Sequence, residues 1–464
     1  MNHQHFATTP PMGWNSWDCY GAAVCEEEIR GNAEYMAEHL KDYGWEYIVV
    51  DIQWYEPGAI SSQYRPFVPL EMDAWSRLMP AVNRFPSAAD GKGFKPLADY
   101  VHSLGLKFGI HIMRGIPRQA VHAAAPVRGT SATARDIAHP NSICPWNTDM
   151  YGVDASKEGA QAYYDSLFEL YASWGVDFVK VDDIAASRLY QIHVPEIEMI
   201  RKAIDRCGRK MVLSLSPGPA PLEHAAELKA NANMWRMTDD FWDLWPLLLG
   251  MFERCEKWAE HTEPGSWPDC DMLPLGHLGI RSVDGGGSDR WTRFTRDEQL
   301  TMMTLWSIFR SPLMFGGEMR DNDEWTLSLL TNRDVLYLHR YGFGAGQVFR
   351  NMEKVVWKAQ DKDGAVYAAL FNTGEEPADV TVRLEQLGLF RNDSIADSIA
   401  DSIGGANEGD TTGVAASVGA GVAEGIAEGI VGKELWTGET VNITGGQLSV
   451  KLPPHGAALY RMEL

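Results

Sequence analysis

The chain has 464 residues, about three times the length of a typical domain, so one to three domains are expected. Apolar residues make up 45% and charged residues 22%, the balance of a soluble globular protein with enough apolar material for a large core. The net charge of −22, from 63 acids against 41 bases, excludes classes that need a basic face, nucleic-acid and anionic-membrane binding, and leaves neutral or cationic ligands open.

The opening MNHQHFATTPPMGW has neither a charged n-region nor an apolar h-region, so no secretory signal is expected. No run reaches the roughly 18 apolar residues of a membrane span. Eight β-rich runs follow: PPMGWNSW to Trp17, YIVVDIQW to Trp54, LKFGIHIM to Met113, VDFVKVDDI to Ile184, KMVLSLSP to Pro217, MWRMTDD to Asp240, GSWPDCDML to Leu273 and SPLMFGG to Gly317. Several are nearly continuous apolar runs, as in strands covered on both faces. Helical patterns lie between them, among them one closing on Gly44, one from Ser156 to Gly175 and one running up to Ser311. This alternation predicts a (β/α)8 barrel over residues 1–340. The alternative, an open doubly wound sheet, would need a phosphate loop after an early strand. The glycine-rich GFGAGQ (Gly342 to Gln347) precedes no evident helix and reads as a turn.

From Tyr341 the pattern becomes KVVWKA, AVYAALFNT, ADVTVRL, QLSVKL and GAALYRM, which predicts a C-terminal antiparallel β-sandwich over 341–464. A low-complexity insert around 391–431, with the repeat DSIADSIADSI, interrupts it and reads as a mobile loop or a marginal amphipathic stretch. Six cysteines (19, 25, 144, 207, 255 and 270) lack zinc-like spacing, so free thiols, no metal and a cytoplasmic setting are expected.

Chemistry in such a barrel sits where strands end. The residues there include Trp17, Asp51, His111, Lys180, Asp182, Asp183, Ser216, Arg236, Asp239, Asp240, Asp269 and Asp271. Any one Asp could instead cap the next helix. Acids and bases on at least five strands at the same end suit glycoside hydrolysis, which uses two carboxylates and no cofactor. No H-E-x-x-H and no G-x-S-x-G occurs. His111 alone reads as a satisfied polar residue rather than a metal ligand.

The stretches TPPMGWNSWDCYG, DFVKVDDI, MWRMTDD, WPDCDML and LPPHGAALYR together resemble glycoside hydrolase family 27, the α-galactosidase, α-N-acetylgalactosaminidase and β-L-arabinopyranosidase family. The resemblance implies the barrel and sandwich above and a retaining double displacement. It makes Asp182 the nucleophile and Asp240 the acid/base, with carboxyls about 5–5.5 Å apart in a retaining enzyme. Strand alternation is expected to turn Asp183 and Asp239 away. Trp17 becomes the aromatic floor, Asp51, Lys180, Arg236 and Asp271 the hooks for ring hydroxyls, and Trp54 and His111 lining residues.

Three departures follow. Where α-galactosidases of this family end strand two on two Asp, this chain has Asp51 and Ile52; on strand five Ser216 stands at an acidic position. A lost hydrogen bond to a charged group is worth roughly 1.5–3 kcal/mol, and an apolar Ile52 favours a sugar without the exocyclic CH2OH. That points to terminal β-L-arabinopyranose on a small oligosaccharide or glycoside, with α-galactosidase as the alternative and a non-catalytic carbohydrate-binding relative more remote. An oxidoreductase would need a nucleotide loop that the chain lacks. Finally, Gln53 and Ile184 replace the disulfide mates of Cys19 and Cys144 in secreted relatives, which fits a reducing compartment. A homo-oligomer is compatible with the sequence.

Overall fold

The computed structural model describes residues 2–61, 63–189, 191–282, 288–389 and 430–463. The chain divides into two units, Met1–Gly346 and Gln347–Leu464.

In the first unit β1 (Met12–Asn15), β2 (Tyr47–Val50), β3 (Lys107–Met113), β4 (Phe178–Asp182), β5 (Val212–Leu215), β6 (Met234–Arg236), β7 (Trp267–Asp269) and β8 (Leu313–Phe315) form one eight-stranded sheet. From β1 to β7 each pairs in parallel with the next, and β1 also pairs in parallel with β8. The ring closes through Leu273, which is bridged in parallel to Phe315 and donates its own N–H to the Met314 carbonyl at 2.8 Å. A helix follows every strand, from Glu26–Tyr35 after β1 to Arg333–Tyr341 after β8, so the unit is a (β/α)8 barrel.

The eight expected strands are all present but shorter than read, five of them for a shared reason. At their ends a short polar side chain folds back onto the next backbone N–H. Asn15 accepts from Trp17 (2.9 Å), Asp51 from Ile52 (2.9 Å), Asp182 from Asp183 (2.7 Å), Asp239 from Asp240 (2.9 Å) and Asp269 from Asp271 (2.9 Å). Such local bonds replace the ladder and bend the chain out of the sheet. The helix expected from Ser156 starts at Ala160, because Asp154 holds the N–H and hydroxyl of Ser156 in a turn. It does close on Gly175, at φ 87°.

Inside the barrel Tyr47, Val49, Phe178, Val212, Met234, Trp267 and Met314 form one apolar cluster. The inward positions nearer the strand ends are polar. Space for the apolar layer comes from Gly13, where a Cβ would lie 2.5 Å from the Tyr47 carbonyl oxygen.

β9 (Phe343–Asn351) leads across the boundary into the second unit, which carries β10 (Lys354–Gln360), β11 (Val366–Asn372), β12 (Ala378–Arg383), β13 (Ile430–Glu434), β14 (Thr440–Ile443), β15 (Gln447–Leu452) and β16 (Ala457–Glu463). A six-stranded sheet runs in the order β9-β10-β11-β16-β13-β14, and β12 pairs with β15. Val380, Val382, Leu448 and Leu452 of the pair share a core with Val356, Ala368, Leu370 and Tyr460 of the larger sheet, a sandwich. GFGAGQ is not a turn: most of it lies in β9, with Gly344 at φ 63°. The insert expected around 391–431 lies outside the described residues as far as 429, and its last two positions belong to β13.

Gly13→Ala should overpack the barrel against backbone that cannot yield and lower its stability by about 1–3 kcal/mol. Thermal unfolding checks this; an unchanged melting temperature would contradict the assigned packing.

Candidate active site

The strand ends and following loops surround a cavity of about 260 Å3. Trp17, Asp51, Ile52, Lys180, Asp182, Arg236, Asp240 and Asp271 line it, so eight of the eleven residues given a catalytic or binding role from the sequence meet there. They come from five of the strand ends, which is what gives a barrel its convergent mouth.

Lys180 anchors one side. Its ammonium donates to Asp51 at 3.0 Å, and Asp51 also accepts from Asn15 at 2.8 Å. Burial opposes the charge on Lys180, but the Asp51 and Asp182 carboxylates raise its pKa. Burial likewise opposes ionisation of Asp51, and Lys180, His111 and Asn15 outweigh it, holding the carboxyl well below the usual range. Asp182 accepts from His111 Nε2 at 3.0 Å and from the Asp183 N–H. Against the burial penalty, that His111 bond and the nearby Lys180 charge depress its pKa, so it is ionised.

Arg236 anchors the other side. It reaches Asp271 at 2.7 Å and Asp240 at 3.1 Å. The Asp240 side chain is 57% exposed, against 14% for Asp182, so one carboxyl stands at the mouth and the other deeper. Beneath Arg236, Asp269 is pushed up to about 7, first by burial and then by the Asp271 carboxylate.

Three expected lining residues do not line the cavity. Trp54 is buried against Tyr55, Phe94 and Trp174, with ring centroids 5.2, 5.2 and 6.1 Å away, and its indole donates to the His111 carbonyl at 2.7 Å. The turn after Asp51 swings it away from the mouth. His111 is fully buried behind Asp182 and acts on the cavity only through that carboxylate. Ser216 is buried too, and its neighbour Pro217 takes the place at the wall. Asp183, as expected, turns away, pairing with Arg114 at 2.9 Å. Asp239 does not: β6 stops at Arg236, alternation no longer applies, and both Asp239 and Asp240 line the cavity.

The sequence reading missed Asp18, Tyr64, Trp146, Arg188, Phe241, Trp242 and Met272 on the wall. Asp18 follows Trp17 and Met272 follows Asp271, so adjacency to a flagged residue was an available signal for both. Burial, then the Asp271 carboxylate, raises the Asp18 pKa well above the usual range. Among the described residues no group of three or more His, Cys, Asp or Glu is arranged to hold a metal, and no helix is long and apolar enough to cross a membrane.

Asp269 ties this site to stability. Its folded pKa of about 7 lies above the ordinary 3.8, so the folded state prefers the protonated acid. Asp183, pushed up to about 6 first by burial, acts in the same direction. Their contribution is intact below the unfolded value and is lost as pH rises from about 4 to about 7. Asp51 and Asp182, with depressed values, act oppositely, but only below the usual carboxylate range. The melting temperature of Asp269→Asn should therefore fall less between pH 5 and pH 7 than that of the parent. Parallel profiles would contradict the assignment.

A family model described as Alpha galactosidase A matches residues 9–158 and 147–340. The chain is 63% identical to a solved protein from Geobacillus stearothermophilus described as a GH27 β-L-arabinopyranosidase, covering 100% of this chain and 98% of that one at a TM-score of 0.91. A variant of the same enzyme, solved in complex with arabinose, matches at the same identity and TM-score. A Bacillus halodurans structure, provisionally described as an α-N-acetylgalactosaminidase, is 56% identical over 98% of this chain and 97% of its own, with a TM-score of 0.82. Alpha-galactosidase 2 from Arabidopsis thaliana is 24% identical over 98% of this chain and 90% of its own. With its barrel matched throughout and its strand-end carboxylates gathered around one cavity, the chain belongs to glycoside hydrolase family 27.

Proposed function

We propose that this protein is a retaining exo-glycosidase that releases terminal β-L-arabinopyranose. Asp182 is the nucleophile: one of its oxygens attacks the anomeric carbon as the glycosidic bond breaks, and a covalent glycosyl-enzyme forms. Hydrogen bonds from His111 and the Asp183 N–H keep it ionised and fix its orientation, while each oxygen retains a free lone pair. Asp240, at the mouth, gives its proton to the departing oxygen and then takes one from the water that releases the sugar. Trp17 supplies a flat face for the ring, and Asp51, Lys180, Arg236 and Asp271 address its hydroxyls.

Ile52 carries the choice of sugar. It lines the cavity, 2% exposed, beside Asp51, whose oxygens are already engaged by Asn15, Lys180 and the Ile52 N–H. β-L-Arabinopyranose is α-D-galactopyranose without its CH2OH. An isoleucine wall offers that hydroxymethyl no partner and takes up the room it would need. The α-galactosidase reading keeps every other contact and is the second choice, favoured by the curated relatives. We place the protein in the cytoplasm, which its six free cysteines support.

The test is kcat/KM on p-nitrophenyl β-L-arabinopyranoside and p-nitrophenyl α-D-galactopyranoside, with Asp182→Asn as the blank. The arabinoside should be preferred, and Asp182→Asn should lose turnover by orders of magnitude while still binding sugar. A galactoside preference overturns the reading of Ile52. Asp240→Ala should slow poor leaving groups far more than p-nitrophenolate; equal losses on both would make Asp240 structural.

A further inference from the structure

The carboxyls around the cavity differ in what holds them. Asp51 accepts on one oxygen from the Ile52 N–H and on the other from Asn15 and Lys180. Asp182 accepts from His111 and the Asp183 N–H, and Asp271 from Arg236 and the Phe241 N–H. Asp239 and Asp240 each have one oxygen engaged. Asp18 lines the same cavity and is only 3% exposed, yet among the described residues no donor reaches either oxygen of its side chain. The side chain is nonetheless firmly placed. The Asp18 carbonyl accepts from the Gly279 N–H at 2.9 Å, and the Cys19 thiol beside it donates to the Gly316 carbonyl at 2.9 Å. Gly316, just past β8, leaves room for the carboxyl, since a Cβ there would collide with Oδ2. Burial, and then the Asp271 carboxylate, favour the protonated acid.

We propose that Asp18 is a further substrate-binding residue, whose carboxyl takes a ring hydroxyl of the terminal sugar. This deepens the reading of the site given above and rests on it. Buried polar groups are as a rule hydrogen-bonded, and one without a partner is a net cost to the folded protein. That cost is offset when a ligand supplies the missing partner. A protonated carboxyl has one O–H donor and acceptor oxygens, and a sugar hydroxyl likewise donates and accepts. The two match in either direction of donation, whereas ionised Asp51 only accepts and Lys180 only donates. A sugar lacking the hydroxyl leaves the acid unpaired, which is how a polar wall rejects a deoxy substrate. Asp18 thus works against stability in the empty cavity and for binding in the filled one.

The experiment measures kcat/KM of the parent, Asp18→Ala and Asp18→Asn on p-nitrophenyl β-L-arabinopyranoside and on its 2-, 3- and 4-deoxy analogues, together with the melting temperature of each protein. On the full sugar Asp18→Ala should lose roughly tenfold. On one deoxy analogue, which has already lost the partner, it should lose far less, because two groups in contact are not additive. Its melting temperature should equal or exceed that of the parent. Asp18→Asn keeps the size, a donor and an acceptor, and should recover most of the lost rate. Equal losses on all four substrates, or no loss on any, overturn the proposal, the carboxyl then being met by solvent alone. An Ala variant that melts well below the parent or fails to fold makes Asp18 structural and overturns it equally, as does an Asn variant no faster than Ala. If the parent takes only α-D-galactosides, the reading of the terminal sugar fails, and the same comparison on deoxygalactosides decides Asp18.

Discussion

A buried ammonium holds the centre of this barrel together. Lys180 carries a full charge on an inward position of β4, and it persists there because Asp51 stands 3.0 Å away and Asp182 lies nearby. Removing either charge from water costs several kcal/mol, which is recovered only when both are paired and hydrogen-bonded. Asn15 completes the Asp51 shell and His111 completes that of Asp182. The two carboxylates are thereby kept ionised in a place where burial alone would protonate them. The apolar layer of Tyr47, Phe178, Met234 and Trp267 underneath gives this polar layer its floor.

The opposite side of the mouth follows a different logic. Arg236 spans Asp271 and Asp240, one buried and one exposed, so a single guanidinium links the sugar-facing wall to the carboxyl at the entrance. Asp18 and Asp269 are driven toward their neutral forms first by burial and then by the Asp271 carboxylate, which outweigh the nearby cations. The barrel interior thus sorts its acids: Asp51 and Asp182, held by Lys180 and His111, stay charged, and Asp18 and Asp269 favour the proton. This separation is what lets one acidic cavity contain an anionic nucleophile.

Much of this was legible in the sequence, and the parts that were not have physical causes. Eight apolar runs revealed eight strands because parallel strands are covered on both faces. Five of their ends were misjudged because Asn15, Asp51, Asp182, Asp239 and Asp269 bend the backbone through bonds that periodicity does not register. The same bends explain the two misassigned side chains nearby: Trp54 leaves for the Phe94 and Trp174 cluster, and Asp239 stays on the cavity wall. Tyr64, Trp146 and Trp242 lie on irregular loops, where only the fold brings them to one rim. Resemblance to a family supplied the roles of Asp182 and Asp240, which spacing alone left undecided against Asp183 and Asp239.

The central claim is that an apolar side chain beside Asp51 excludes the hydroxymethyl group of galactose. The measurement that addresses it most directly is the ratio of kcat/KM for the α-D-galactoside to that for the β-L-arabinoside in Ile52→Asp and in the parent. The account predicts a rise of roughly tenfold or more, the scale of one charged hydrogen bond. A ratio that stays where it was, in a variant that still folds and turns over substrate, would contradict it and move the discrimination elsewhere in the cavity.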